Sequence, residues 1–495
     1  MFAKIKELLN QIINLNNRLK SYEKESVIQA MPSLAYVNRA KKCIERGEFK
    51  EAEKILEEAM ELPQEDALVY KYLGIVCEKT QRYSEAVISY KKSANINNAD
   101  KDIWRLLGFA LINCNLCEEA VDSFENANKM SPANTDIFAG WGMALMKLKR
   151  YNEAHEKFME SVRLNRYNFM SLLLAAIMEV RLNRYTDAEA KLKFLTAVSP
   201  NETNNYEYAN LKYIKKDYDS AIYYANRALE YNKNMLPIYL LLGKLYVIKG
   251  NKESSLKMYT TAKNLGLETP HLYFDWAVTY QIYEDYENAK LNFLKALSFA
   301  PQEEEANAGL ALTNACLDNI EEAENILSQI KDISSDAYLA TKALGIIALK
   351  KGAFNTAIEK FKAIKERIFF DNTLNYFLAM AYEGLGEKGN AKEYYENAML
   401  NPNCSLDLYI RYAKFLIDNK EYDSAQRKLR RALKFDENNL TVLNLLFHVG
   451  YILVKENHSE YNRKETLSIA KKILSVDSSA FNYPEECTDL ENMTI

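Results

Sequence analysis

The sequence predicts an all-α protein, a solenoid of about twelve helical hairpins with helical caps, and three observations carry that prediction. The first is punctuation. Only 15 Gly and 9 Pro in 495 residues are too few for a chain rich in strands and tight loops, while 48% hydrophobic residues supply an ample core. The second is a fixed period. An alanine recurs at Ala52, Ala86, Ala120, Ala154, Ala188, Ala221, Ala289, Ala323, Ala357, Ala391 and Ala425, with Ser255 in the one gap; the step is 34 residues except for a single step of 33. The third is size. Twelve residues before every marker stands Gly or Ala, as at Ala40, Gly74, Gly108 and Gly142. Four residues after it the side chain is large, from Leu56 and Tyr90 to Tyr395 and Leu429, and only Ala225 departs.

A large side chain facing a small one lets two antiparallel helices approach and interdigitate, so each period reads as one hairpin. An aromatic opens the first helix of several units (Tyr70, Trp104, Phe138, Tyr239, Tyr273, Tyr409). Pro132, Pro200 and Pro301 close units where a helix can stop without losing a needed bond. Polar stretches such as Arg82 to Glu85 and Lys216 to Asp219 mark the bends. Residues 439–475 read as a degenerate capping hairpin around the polar insertion Glu456 to Asn462. The acidic tail, 476–495, lacks helical period and is expected to be disordered. At the other end Ile5, Leu8, Ile12, Leu15, Leu19 and Tyr22 keep a/d spacing. Residues 1–32 are therefore expected to form an amphipathic helix, either a cap on the first hairpin or a short coiled coil pairing two chains into a homodimer.

Trp104-x-x-Leu107-Gly108, followed by Ala120-x-x-x-Phe124-x-x-Ala127 and Pro132, resembles the tetratricopeptide repeat (TPR) family, and the resemblance covers about residues 33–438 as twelve units. It implies a right-handed superhelix whose first helices form an inner wall that holds a partner's peptide or helix. The inner-face residues that follow the small positions include Ile75, Phe109, Met143 and Ile177, then a polar break at Asn210 and Lys244, then Val278, Leu312, Ile346 and Met380. Two apolar runs of this kind are expected to line a partner-binding groove; the alternative is that tight curvature buries them. The family's carboxylate clamp does not transfer, because Ile75 stands where Lys71 needs an asparagine four residues on, and Tyr206 replaces the lysine that Asn210 needs. There is also no asparagine ladder of the kind seen in O-GlcNAc transferase.

Other function classes find little material. With 64 Lys+Arg against 68 Asp+Glu the formal charge is −4, and no basic patch offers a footprint for nucleic acid or an anionic membrane. Cys114 and Cys117 have half-zinc or redox spacing, but no second close pair of Cys or His completes a metal site. Gly384 to Gly389 spells G-x-G-x-x-G without the preceding strand a dinucleotide site requires. Four histidines and no nucleophile motif argue against catalysis, so neither an enzyme nor a cofactor is expected. The first residues show no uninterrupted apolar h-region, and the longest apolar stretch, near Leu172 to Met178, is far short of a membrane span. Seven cysteines, an odd number, suit a reducing cytoplasm. The expectation is a cytoplasmic, non-catalytic scaffold or adaptor that binds protein partners through its concave groove. The alternative is a regulatory or substrate-presenting subunit of a separate enzyme.

Overall fold

A computed structural model of the chain describes residues 32–330, 337–365, 373–400, 404–457 and 460–493. Among these residues are 27 α-helices, one short 3-10 turn and no strand. The helices pair in chain order. Hairpins 1 to 6 are Pro32–Glu45 with Phe49–Met60, Ala67–Lys79 with Tyr83–Ile96, Ile103–Asn113 with Cys117–Met130, Thr135–Lys147 with Tyr151–Leu164, Phe169–Arg181 with Tyr185–Val198, and Glu202–Ile214 with Tyr218–Tyr231. Hairpins 7 to 12 are Leu236–Ile248 with Lys252–Asn264, Pro270–Ile282 with Tyr286–Phe299, Glu304–Cys316 with Ile320–Ser328, Tyr338–Lys350 with Phe354–Lys365, Thr373–Gly384 with Lys388–Ala398, and Leu406–Asp418 with Tyr422–Ala432. Leu440–Asn457 and Glu460–Val476 make a thirteenth. The chain forms two compact units, residues 1–238 and 239–495.

Each of the first twelve bends contains one residue in the left-handed region, five positions before the marker. They are Gly47, Gln81, Asn115, Lys149, Asn183, Lys216, Gly250, Glu284, Asp318, Gly352, Gly386 and Lys420, with φ between 57° and 77°. The following amide then reaches back over the end of the first helix: Arg82 N donates to Cys77 O at 2.8 Å, and Glu421 N to Leu416 O at 2.8 Å. This closure satisfies carbonyls that the helix end would otherwise leave unpaired. Only four of the twelve positions are glycine, which is how a glycine-poor chain makes so many bends.

Inside the hairpins, side-chain volumes are matched across the helix pair. A Cβ on Gly74 would lie 2.4 Å from the Tyr90 ring; for Gly108 and Phe124 the distance is 2.7 Å, for Gly142 and Phe158 2.6 Å, for Gly243 and Tyr259 2.4 Å, and for Gly345 and Phe361 2.5 Å. At Ala40, Ala176, Ala311 and Ala413 the small residue is alanine and the partner position holds Leu56, Leu192, Leu327 or Leu429, while Ala379 is matched with Tyr395 and Ala209 with Ala225. Ala277 is matched with Phe293 instead. Its ring gains room from Gly309 of the next hairpin, whose Cβ would lie 2.4 Å away. Ser255, the one substitute for the marker alanine, is fully buried and donates its hydroxyl to Gly243 O at 2.9 Å, so its polarity is satisfied.

The C-terminal tail departs from expectation. Instead of disorder, residues 478–480 form a 3-10 turn and Pro484–Asn492 a helix that packs on hairpin 13. Leu490 is buried, Phe481 meets Phe447 edge-on at 5.1 Å, and Arg463 Nε donates to Leu490 O at 2.8 Å. Asn444 holds the connecting strand of chain, donating to Ala480 O at 3.0 Å and accepting from Asn482 N at 2.9 Å. A helix of nine residues is too short to display a period, and its order comes from these tertiary contacts. The amphipathic helix expected over residues 1–32, with its coiled-coil alternative, lies outside the described residues apart from Pro32.

Candidate functional site

In the unit of residues 1–238, the first helices of hairpins 1 and 2, 3 and 4, and 5 and 6 touch one another, whereas second helices of neighbouring hairpins make at most marginal mutual contact. The first-helix side is therefore the inner wall. Ile75, Phe109, Met143 and Ile177 lie on it, one per hairpin, each half-buried and packed at its base on the core. Phe109 does more than line the wall. It meets Phe124 edge-on at 5.2 Å and sits over Gly140 of the next hairpin, where a Cβ would come within 2.9 Å of its ring.

The charged groups around this strip are engaged with one another. Lys71 Nζ pairs with Asp100 at 2.8 Å and Asp102 at 3.6 Å, bridging hairpin 2 to the start of hairpin 3. Burial pushes the Asp100 carboxyl up, but the Lys71 ammonium and the amides of Asp102 and Ile103 outweigh it and hold the carboxyl below its ordinary value. Tyr90 OH donates to Glu78 at 2.9 Å, and Lys147 Nζ donates to Ile112 O at 3.0 Å. Lys41 lies over the Tyr72 ring at 4.7 Å.

The second predicted run requires correction. Val278 and Met380 are half-buried, but Leu312 is 4% exposed and Ile346 only 1%. Both belong to the core, because the first helices of hairpins 9 and 10 pack directly on one another. Ala308, Ala315 and Ala343 share one core cluster with Leu312 and Ile346, so a docking partner does not reach these two side chains.

Sequence reasoning missed a polar seam across hairpins 4 to 6. Glu179, 2% exposed, accepts from His155 Nε2 at 2.8 Å and from Lys191 Nζ at 2.6 Å, both on Oε1, while its buried Oε2 has no partner. Burial pushes this carboxyl up, yet the hydrogen bonds from His155 and Lys191 outweigh it and its pKa lies below the ordinary value. One hairpin on, Glu189 accepts from Lys212 at 2.6 Å and from Lys215, and Lys212 also reaches Asp217 at 3.3 Å. The signal was present in the repeat frame. Glu179 and Lys212 stand three residues after the small position, where Cys77, Leu111 and Leu145 stand in earlier units.

Cys114 is half-buried and Cys117 buried; they flank the third bend. Among the described residues no group of His, Cys, Asp or Glu is arranged to hold a metal ion. Gly384 to Gly389 span the bend of hairpin 11, preceded by a helix rather than a strand. No helix of the described residues is long and apolar enough to cross a membrane.

An array of hairpins with a small-to-large match inside each and a wall of first helices defines a helical repeat protein of the tetratricopeptide class. The model described as Psidin, N-terminal TPR repeats region, matches residues 41–200, and the tetratricopeptide repeat model matches 373–400. The chain is 27% identical over 161 residues to tetratricopeptide repeat protein 6 of Homo sapiens; the match covers 32% of this chain and 30% of that protein, so the chain spans less than a third of that relative. Its fold is similar to a chain in the crystal structure of the APC/C hetero-tetramer Cut9–Hcn1, with a TM-score of 0.55 at 14% identity over 94% of this chain and 98% of that one. A tetratricopeptide repeat protein from Parabacteroides merdae ATCC 43184 matches 57% of this chain and 98% of its own at 17% identity, with a TM-score of 0.36. The chain carries tetratricopeptide repeats, and its fold is that of a tetratricopeptide repeat solenoid.

Proposed function

We propose that the chain is a non-catalytic scaffold or adaptor that holds a protein partner on the first-helix wall of residues 32–238. One observation carries this reading: Ile75, Phe109, Met143 and Ile177 repeat in one frame as a half-buried apolar strip, while the charges beside them are already paired. A partner helix that lays its apolar face there gains about 25 cal/mol per Å² of apolar surface removed from water. The seven unpaired thiols support a reducing compartment, and the cytoplasm is the proposed location.

The test is affinity capture with Ile75→Thr and Met143→Gln combined, which make the strip polar with little change of volume. Phe109 is kept, since it bridges two hairpins. Stoichiometric partners are expected to be lost while circular dichroism and melting stay close to wild type. Undiminished capture by a folded variant would overturn the reading. If the captured protein is a single enzyme, the chain is its regulatory or substrate-presenting subunit; assembly components identify a scaffold.

A further inference from the structure

In hairpins 4 and 5 five large apolar side chains stand open to solvent: Leu164 at 43%, Tyr167 at 82%, Met170 at 65%, Phe194 at 47% and Val198 at 53%. Tyr167, Phe194 and Val198 form one patch. Tyr167 meets Phe169 edge-on at 6.3 Å, and Phe169 in turn meets Phe194 at 6.3 Å. Val198 lies one turn beyond Phe194 on the same helix, and Leu164 holds the same frame position as Val198 on the preceding second helix.

The fold does not call for these residues. Where Tyr167 stands, neighbouring units have Ala99 and Ala133; where Phe194 stands they have Asn126, Glu160 and Arg227. Two apolar substitutions for small or polar residues, converging on one patch, place a cost in solubility that hairpin packing does not repay. The flanking charge is basic. Arg166, between Leu164 and Tyr167, and Lys193, beside Phe194, are exposed and carry no ion pair among the described residues, whereas Glu160 is engaged by Arg163. That basic flank stands out on a chain of net charge −4.

We propose that this patch is a second docking surface, separate from the first-helix strip, and that its occupant is a short acidic segment of a partner protein bearing aromatic or aliphatic anchors. The apolar anchors cover Tyr167, Phe194 and Val198, and carboxylates meet Arg166 and Lys193, which sets the register of the bound segment.

The experiment selects a phage-displayed library of random peptides on the full chain. The expected outcome is an enriched class rich in Asp and Glu with at least two large apolar residues. Its affinity should fall roughly tenfold or more with Tyr167→Ala and Val198→Ala combined, about 1.4 kcal/mol per tenfold. It should weaken with Lys193→Glu and with added salt, and be indifferent to Ile75→Thr with Met143→Gln. Both alanine positions are exposed, so folding is retained, and circular dichroism checks it. The proposal is overturned if no enriched class depends on Tyr167 and Val198, or if the dependent class lacks acidic residues. It is equally overturned if light scattering shows a wild-type dimer that these two substitutions dissolve, which would assign the patch to self-association. Peptides lost only with the Ile75 and Met143 variant report on the first-helix strip, so the two surfaces succeed or fail separately.

Discussion

Gly74 and Tyr90 share one hairpin so closely that a Cβ on the glycine would lie 2.4 Å from the tyrosine ring. The ring cannot retreat freely, because it is fully buried and its hydroxyl donates to Glu78 at 2.9 Å. Replacing a helical glycine by alanine normally stabilises by about 1 kcal/mol. Overpacking costs roughly 1–3 kcal/mol and decides the sign here. Gly74→Ala is expected to lower the denaturation midpoint. Gly389→Ala, in the helix Lys388–Ala398 with nothing within 4 Å, is expected to raise stability by about 0.5–1 kcal/mol. Matching shifts of the same sign in urea titrations would contradict the volume match.

The bends provide a backbone test. Lys149 has φ 61° and Gly352 has φ 76° at equivalent positions. A non-glycine residue in the left-handed region costs about 1–2 kcal/mol, and glycine loses part of that advantage through the greater freedom of its unfolded chain. Lys149→Gly is expected to stabilise by about 0.5–1 kcal/mol, and Gly352→Ala to destabilise by about 1 kcal/mol although its Cβ meets nothing within 4 Å. Thermal midpoints of the two variants, moving in opposite directions, check this.

Glu179 makes stability depend on pH on the acid side. Its carboxyl is held below the ordinary value in the folded state, so its contribution is fully present above the unfolded value of about 4.3 and is lost as pH falls through the lower folded value. Glu179→Gln removes the charge between His155 and Lys191 while keeping the shape. It is expected to cost about 3 kcal/mol at neutral pH, the scale of breaking a buried pair, and to flatten the stability profile below about pH 4.5. In a repeat array the loss concentrates locally. Hydrogen exchange should therefore quicken first in hairpins 4 and 5; uniform quickening across the chain would argue against this placement.

The hairpins were legible because their contacts are local. Ala52 to Ala425 and the small residues before them act within about one period, and the same packing problem is solved twelve times, so the solution shows as a repeat. The left-handed bends were hidden for a chemical reason: Gln81, Lys149, Glu284 and Lys420 adopt them without the glycine that would announce them. The seam at Glu179 was visible as a charge in a column of apolar residues, yet its partners His155 and Lys191 come from two different helices and needed the fold to be brought together.

Composition and period alone specify an all-helical array and the interior of each hairpin, since a helix pair needs only side-chain volume and spacing that a linear chain already carries. Tertiary packing decides what the array presents. Ile75 and Ile346 occupy the same frame position, but one remains half-buried on a wall and the other is core, because the first helices of hairpins 9 and 10 pack directly on one another. Leu490 is likewise part of a core that its own short helix could not build. Exposure depends on the angle and distance between neighbouring hairpins, which arise from many weak contacts summed across the interface and are not encoded in any single position.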